Sequence, residues 1–342
     1  MSSVALTPDE KLALVSAPNR VDPNDKTKLL LEDALQIVDL EASPPRVISR
    51  LALGSQLLGL SVSRAGDLAL AAHVADGTVS VLTISGKTVT KVGSVTVGDA
   101  KSRVSHVAIS PDGKWALASK RGENTVAVLA IDGTKVEYTK RDITAGTQPY
   151  GIDISPDGRV AVVGNVGRGS GDADTVTVID MTLRPIRAVD HVAVGQWPEG
   201  VAFSPDGKQL AVAISNGTNR PKSSPFRAEA GRLLLYAVQG TKLTRVAEAP
   251  MGRNTQGVTF TPDGQYVYVQ NYVEQELAVF RGARGHGHAD QGHGPPGLDP
   301  DRAPVKARAG TTASSRGRLY SPSEPAGKRA QERSGALGTG EG

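Results

Sequence analysis

A short turn, Ser-Pro-Asp-Gly, returns along this chain between pairs of apolar runs. Ser110-Pro111-Asp112-Gly113 separates Val107-Ala108-Ile109 from Ala116-Leu117-Ala118, and Ser155 to Gly158, Ser204 to Gly207 and Thr261 to Gly264 sit between equivalent runs. Two degraded copies precede them, Thr7-Pro8-Asp9-Glu10 and Ser63-Arg64-Ala65-Gly66. Proline presets φ at about −65° in the first turning position, aspartate bonds the backbone two residues on, and glycine accepts the positive φ that closes the turn. Each copy therefore predicts a tight hairpin between two short strands, and six hairpins in register predict a repeat architecture.

The turns begin at residues 7, 63, 110, 155, 204 and 261, at spacings of 56, 47, 45, 49 and 57. Two further apolar runs follow each hairpin; in the third unit they are Val126-Ala127-Val128-Leu129 and Val136-Glu137-Tyr138. Four antiparallel strands at this period read as propeller blades, small twisted sheets packed face to face around an axis. The expected class is all-β, a β-propeller of four-stranded blades near 1–54, 55–98, 99–146, 147–195, 196–252 and 253–280, the last one strand short. A solenoid of four-stranded units is the alternative, disfavoured because hairpins rather than long parallel crossovers join the strands.

At 342 residues the chain is long enough for two or three average domains, but the repeat outranks length and one propeller domain over 1–280 is expected. Residues 281–342 hold thirteen Gly and six Pro with almost no Val, Ile or Phe. That composition cannot bury a core, so a disordered tail is expected, and the abrupt change in mid-blade is the pattern of a shifted reading frame. The tail also carries ten Lys/Arg against six Asp/Glu, which accounts for the whole net charge of +4. The body is therefore neutral, against the basic face that nucleic acid requires. Zero cysteines exclude disulfides, thiolate metal sites and a cysteine nucleophile. No apolar run approaches the roughly 18 residues of a membrane span, and no signal peptide follows Met1. A soluble monomer without an export address is the expectation from these residues.

The order strand, Ser-Pro-Asp-Gly, strand, then a third strand such as Asn124-Thr125-Val126-Ala127-Val128 or Asp174-Thr175-Val176-Thr177-Val178-Ile179-Asp180, resembles the YVTN-type β-propeller repeat. The superfamily also includes 6-phosphogluconolactonase-like and nitrite-reductase-type haem propellers. The resemblance implies seven blades, and a periplasmic or secreted setting for intact bacterial relatives. This chain departs from the pattern at both ends: Met1 falls directly before an innermost strand, and Phe280 is followed by Arg-Gly-Ala-Arg-Gly-His-Gly-His.

Hairpin topology puts the Ser-Pro-Asp-Gly turns on one rim and the loops between second and third strands on the other. The long insertions after Ala17, Asn165 and Asn216 all fall on that second rim, where binding on a rigid scaffold is expected. Alignment on the turns yields two rings near the axis there. Ser2, Leu58, Ser105, Tyr150, Glu199 and Gln256 form one, and Ala17, His73, Lys120, Asn165, Ile214 and Asn271 the other. Tyr150, Asn165, Glu199, Gln256 and Asn271 are the expected ligand-binding set, suited to a small polar molecule; a merely solvated ring around a wet channel is the plainer alternative.

Lactone hydrolysis needs a base for water and a cation for the developing oxyanion. Glu199 or His73 are candidates for the base, and Lys120, Arg103 or Arg121 for the cation. His106, standing where the other units have Gly59, Gly151, Gly200 and Gly257, could face the channel, although a packed or solvated histidine is the plainer reading. Asp172-Ala173-Asp174 alternates carboxylates as calcium loops do but lacks their further ligands. His286, His288 and His293 resemble a metal-binding tract in the tail. No metal is expected, and no cofactor, since haem attachment would need a Cys-x-x-Cys-His motif. Two functions remain: a non-catalytic scaffold binding a ligand or protein partner on the insertion-bearing rim, or a lactonase-like hydrolase acting on a sugar lactone.

Overall fold

The structure, a computed structural model, describes residues 3–281 apart from Pro18, Pro23, Lys26 and Ser55, together with the strand Val305–Arg308. The described residues form six four-stranded antiparallel sheets arranged as propeller blades, plus a two-stranded hairpin, and no helix. In the third blade the inner strand Val104–Ile109 is followed outward by Trp115–Lys120, Thr125–Asp132 and Lys135–Thr144. The fourth runs Pro149–Ile154, Val160–Asn165, Asp174–Asp180 and Arg187–Gly195, and the fifth Pro198–Phe203, Gln209–Ile214, Gly231–Gln239 and Lys242–Met251. The long excursion of the first blade carries the extra hairpin, Asn19–Val21 with Leu29–Leu31.

The sixth sheet differs from the sequence expectation. Its first three strands, Thr255–Phe260, Tyr266–Asn271 and Glu276–Arg281, are joined by Val305–Arg308 as a fourth, paired Val279 to Val305 and Glu276 to Arg308. A strand edge offers unpaired N–H and C=O groups to any extended backbone, so a four-residue strand can be recruited from a segment whose composition gives no sign of it. The rest of 281–342, with the expected disorder, the shifted frame and His286, His288 and His293, lies outside the described residues, apart from Arg281.

Both faces of the inner blades are buried because the two middle strands are continuous Val, Ala, Leu and Ile, the pattern of a sheet covered on both sides. Five buried clusters fill the five spaces between successive blades. Serine hydroxyls at the ends of second strands staple neighbouring blades: Ser119 Oγ donates to Tyr150 O (2.8 Å), Ser215 Oγ to Thr255 O (3.0 Å), and Ser16 Oγ to Leu58 O. Close approach explains the repeated glycine of the inner strands. A Cβ on Gly59 would lie 2.4 Å from His106 Cα, and one on Gly200 2.2 Å from Gln256 O.

The turns do what their residues require and one thing more. Gly113 has φ +68°, and the Lys114 N–H donates to Asp112 Oδ1 at 3.1 Å. The serine completes the motif, since Ser110 Oγ donates to Asp112 Oδ1 (2.5 Å) while accepting from the Trp115 N–H (3.0 Å).

Candidate functional site

Each inner strand of blades two to six carries an extra residue near its start. Pairing goes from Pro149–Asn165 to Ile152–Val163, from Val104–Lys120 to Val107–Ala118, and from Thr255–Asn271 to Val258–Val269. Such a bulge rotates the residues beside it relative to the regular alternation. Tyr150, Glu199 and Gln256 lie at these bulges, and with His106, Asp153 and Gln270 they line an axial cavity of about 360 Å³.

The second ring behaves differently. His73 is buried with Nδ1 3.0 Å from Gly54 O and Nε2 2.7 Å from Ser80 Oγ. Lys120 is buried in ion pairs with Asp142 and Glu123, each at 2.7 Å. Asn165 donates to Thr175 O and Thr177 Oγ1, and Asn271 accepts from the Gly252 N–H. These four residues connect strands and loops, and none of them lines the cavity. Of the sequence candidates the structure therefore brings Tyr150, Glu199 and Gln256 to the cavity, with Arg121 set against the Tyr150 ring.

Glu199 is 6% exposed, and its Oε2 has no hydrogen-bond partner among the described residues. Burial pushes its carboxyl up to about 7, against opposing contributions from the Trp197 indole as hydrogen-bond donor and the Arg121 charge. Arg121 comes from the turn after the second strand of blade three. Its guanidinium stands 5.4 Å from the Tyr150 ring centre and 6.0 Å from that of Trp197, and its Nε donates to Gln148 Oε1 at 2.8 Å. Burial and then the neighbouring Arg103 depress the guanidinium's affinity for its proton. His106 packs edge-on against Tyr150, ring centres 4.5 Å apart, and its buried Nδ1 has no partner among the described residues. Burial, reinforced by Arg121, lowers it to about 4, so the imidazole is neutral at pH 7. It lines the channel and is packed against Tyr150 at once, so the two placements open to it from the sequence coincide.

Three residues of this site, Gln270, Asp153 and Trp197, are not among the sequence candidates. Asp153 accepts from the Phe203 N–H (2.7 Å) and the Ile154 N–H (2.8 Å), bridging the inner strands of blades four and five, and burial raises it to about 6. Its signal was a charge between Ile152 and Ile154 inside an apolar run. Trp197, one of two tryptophans, gave no pattern by which to place it. Asp172 and Asp174 do not gather a metal site: among the described residues no group of three or more His, Cys, Asp or Glu could hold one. Nor is any helix there long and apolar enough to cross a membrane.

This architecture has known counterparts. The profile of a family described as lactonase, 7-bladed beta-propeller, matches residues 75–183. No curated protein matches the sequence. Among solved structures, the periplasmic gluconolactonase of Pseudomonas aeruginosa is similar at TM-score 0.62 and 20% identity, over 84% of this chain and 82% of that one. A candidate 6-phosphogluconolactonase of Bacteroides fragilis is similar at TM-score 0.65 and 19% identity, over 90% and 84%. Hydrazine synthase of Kuenenia stuttgartiensis gives TM-score 0.64 and 22% identity, over 82% and 76%. At these identities the structures share a fold, which hosts unrelated chemistries. The chain is a β-propeller that resembles the 6-phosphogluconolactonase-like propellers and is similar over residues 75–183 to the seven-bladed lactonase family.

Proposed function

We propose that the axial cavity hydrolyses a lactone, with Glu199 in its wall as general base and Arg121, set against the Tyr150 ring outside that wall, as the positive charge that favours the developing oxyanion. The observation that carries this reading is the Glu199 carboxylate, buried, with one oxygen unpartnered and its pKa about 7, beside a desolvated guanidinium. A base is most effective with its pKa near the working pH. Glu199 takes a proton from water as the oxygen attacks the lactone carbonyl; the ring C–O bond then breaks, the alkoxide recovers the proton, and a hydroxy acid leaves. Tyr150, Gln256 and Gln270 offer hydrogen bonds to substrate hydroxyls along the cavity wall. Lys120 and His73 are committed to partners elsewhere and have no part in it. Likeness to a periplasmic gluconolactonase supports this chemistry, and a periplasmic setting is part of the same proposal.

Hydrolysis of D-glucono-1,5-lactone above the spontaneous rate tests it. Glu199→Gln is expected to lower kcat by about 10²- to 10⁴-fold, the usual yield of a general base, and the wild-type rate to rise tenfold per pH unit before levelling near the Glu199 pKa of about 7. No hydrolysis above the spontaneous rate would remove the enzyme reading, and equal rates in the two proteins would remove Glu199 as its base. A second reading, ligand binding without chemistry on the insertion-bearing rim, is supported by a cleft of about 890 Å³ between the first two blades, lined by Arg20, Glu32, Arg50 and Gln56. Unchanged ligand binding by Glu199→Gln, with no turnover by the wild type, is its expected signature.

A further inference from the structure

The insertion of the fourth blade ends at Asp174, where the third strand begins, and that carboxylate reaches into the link between blades four and five. Its Oδ2 accepts the Trp197 N–H at 2.8 Å. Trp197 has φ +64°, a left-handed conformation that a bulky aromatic residue adopts only when its surroundings enforce it. Gly167 marks how closely the insertion is fitted to this contact, since a Cβ there would lie 1.7 Å from Asp174 Oδ1. From this backbone position the indole packs with Leu58, Tyr150 and Val166, under the Arg121 guanidinium, and it lowers the proton affinity of Glu199 two residues on.

We infer that Asp174 is a positioning residue: it holds Trp197 in its left-handed conformation and so keeps the indole against Tyr150 and Arg121, on the side of the Glu199 carboxylate. The insertion thereby gains a role that the alternation of Asp172 and Asp174 only suggested in another form. The inference rests on Glu199 being the working carboxylate of the channel, and its readout needs no turnover. Glu199 is faced by Arg121 from blade three, with Arg103 behind it, by Tyr150 from blade four with His106 against that ring, and by Trp197 itself. Asp174 is faced by Asp172 and Arg220.

Substituting Trp115→Phe leaves Trp197 as the single tryptophan of the full chain. Its emission, followed from pH 5 to 9, is expected to titrate with a midpoint near the Glu199 value of about 7 and to lose that transition in Glu199→Gln. Two contributions at Asp174 have opposite signs, which makes the test discriminating. Removing its negative charge lowers the midpoint, whereas releasing the indole from Glu199 raises it. Asp174→Asn keeps an acceptor oxygen and is expected to leave the midpoint unchanged or slightly lower; Asp174→Ala is expected to raise it by about half a unit or more. Gly167→Ala, which intrudes on the carboxylate without altering charge, gives the same upward shift and serves if the Asp174→Ala chain does not fold. Matching midpoints in the Ala and Asn variants, or a wild-type emission that does not titrate, would overturn the inference. Titration without lactone turnover would remove the hydrolase proposal and leave the positioning role standing.

Discussion

Glu199 shows how a functional demand at one residue acts on stability. Its folded pKa of about 7 lies above the ordinary value of 4.5, so between those two pH values the folded chain keeps a proton that the unfolded chain releases. Stability from this group is therefore fully present below pH 4.5 and lost as pH rises towards 7. A shift of that size corresponds to about 3 kcal/mol by the usual 1.36 kcal/mol per unit. Asp153, raised to about 6, adds a loss of the same sign in an overlapping window. Glu199→Gln removes the ionisation, so it is expected to raise the urea midpoint at pH 8 and leave it nearly unchanged at pH 4.5. Equal effects at the two pH values would mean that the carboxylate is not desolvated in the folded chain.

At the scale of the element, the hairpin turn shows what was legible in the residues and what was not. Proline, aspartate and glycine carry backbone preferences that act within four residues, and the structure places them as those preferences require. The serine works across the turn: Ser155 Oγ accepts from the Val160 N–H and Ser204 Oγ from the Gln209 N–H, five residues on. Ser110→Ala is expected to cost about 1 kcal/mol in denaturant unfolding, the net value of a typical hydrogen bond. Ser110→Thr should be nearly neutral, because Thr261 fills the same role with its Oγ1 3.0 Å from the Tyr266 N. Unfolding midpoints that ranked Thr with Ala would deny the hydroxyl this part. The site was less legible because it depends on bulges. Counting from the turns reached the right end of each strand, but only paired registers show that the inner strand slips by one residue there, turning Tyr150, Glu199 and Gln256 to the channel. The second strands pair with their outer neighbours without a slip, so His73, Lys120 and Asn165 stay within their sheets. Asp174 acts through a loop contact between blades, which no local pattern records.

For the molecule as a whole, what matters is which blade faces are covered. Between successive blades the apolar residues are closed off, as with Val107 at 3% exposure and Ile109 at 9%. On the first and last blades the faces turned away from their neighbours are not: Val4 is 61% exposed, Leu6 50%, Tyr266 37% and Leu277 40%. Gly257 agrees, since a Cβ there would meet only the Gln270 side chain at 3.5 Å, whereas one on Gly151 or Gly200 would strike the backbone of the following blade. Uncovered β-sheet faces of this kind favour self-association and dye binding over a monodisperse solution. Introducing charge on both faces, Leu6→Lys with Leu277→Lys, is expected to lower light scattering and fluorescence of an apolar-surface dye several-fold at micromolar protein. The unfolding free energy should change by less than about 0.5 kcal/mol, as for other surface substitutions. Val107→Lys, which puts the same charge into a closed space between blades, is expected to unfold the chain. Scattering that the double variant leaves unaltered would mean that these faces are covered in solution, and a large loss of stability in that variant would identify what covers them as part of the folded chain.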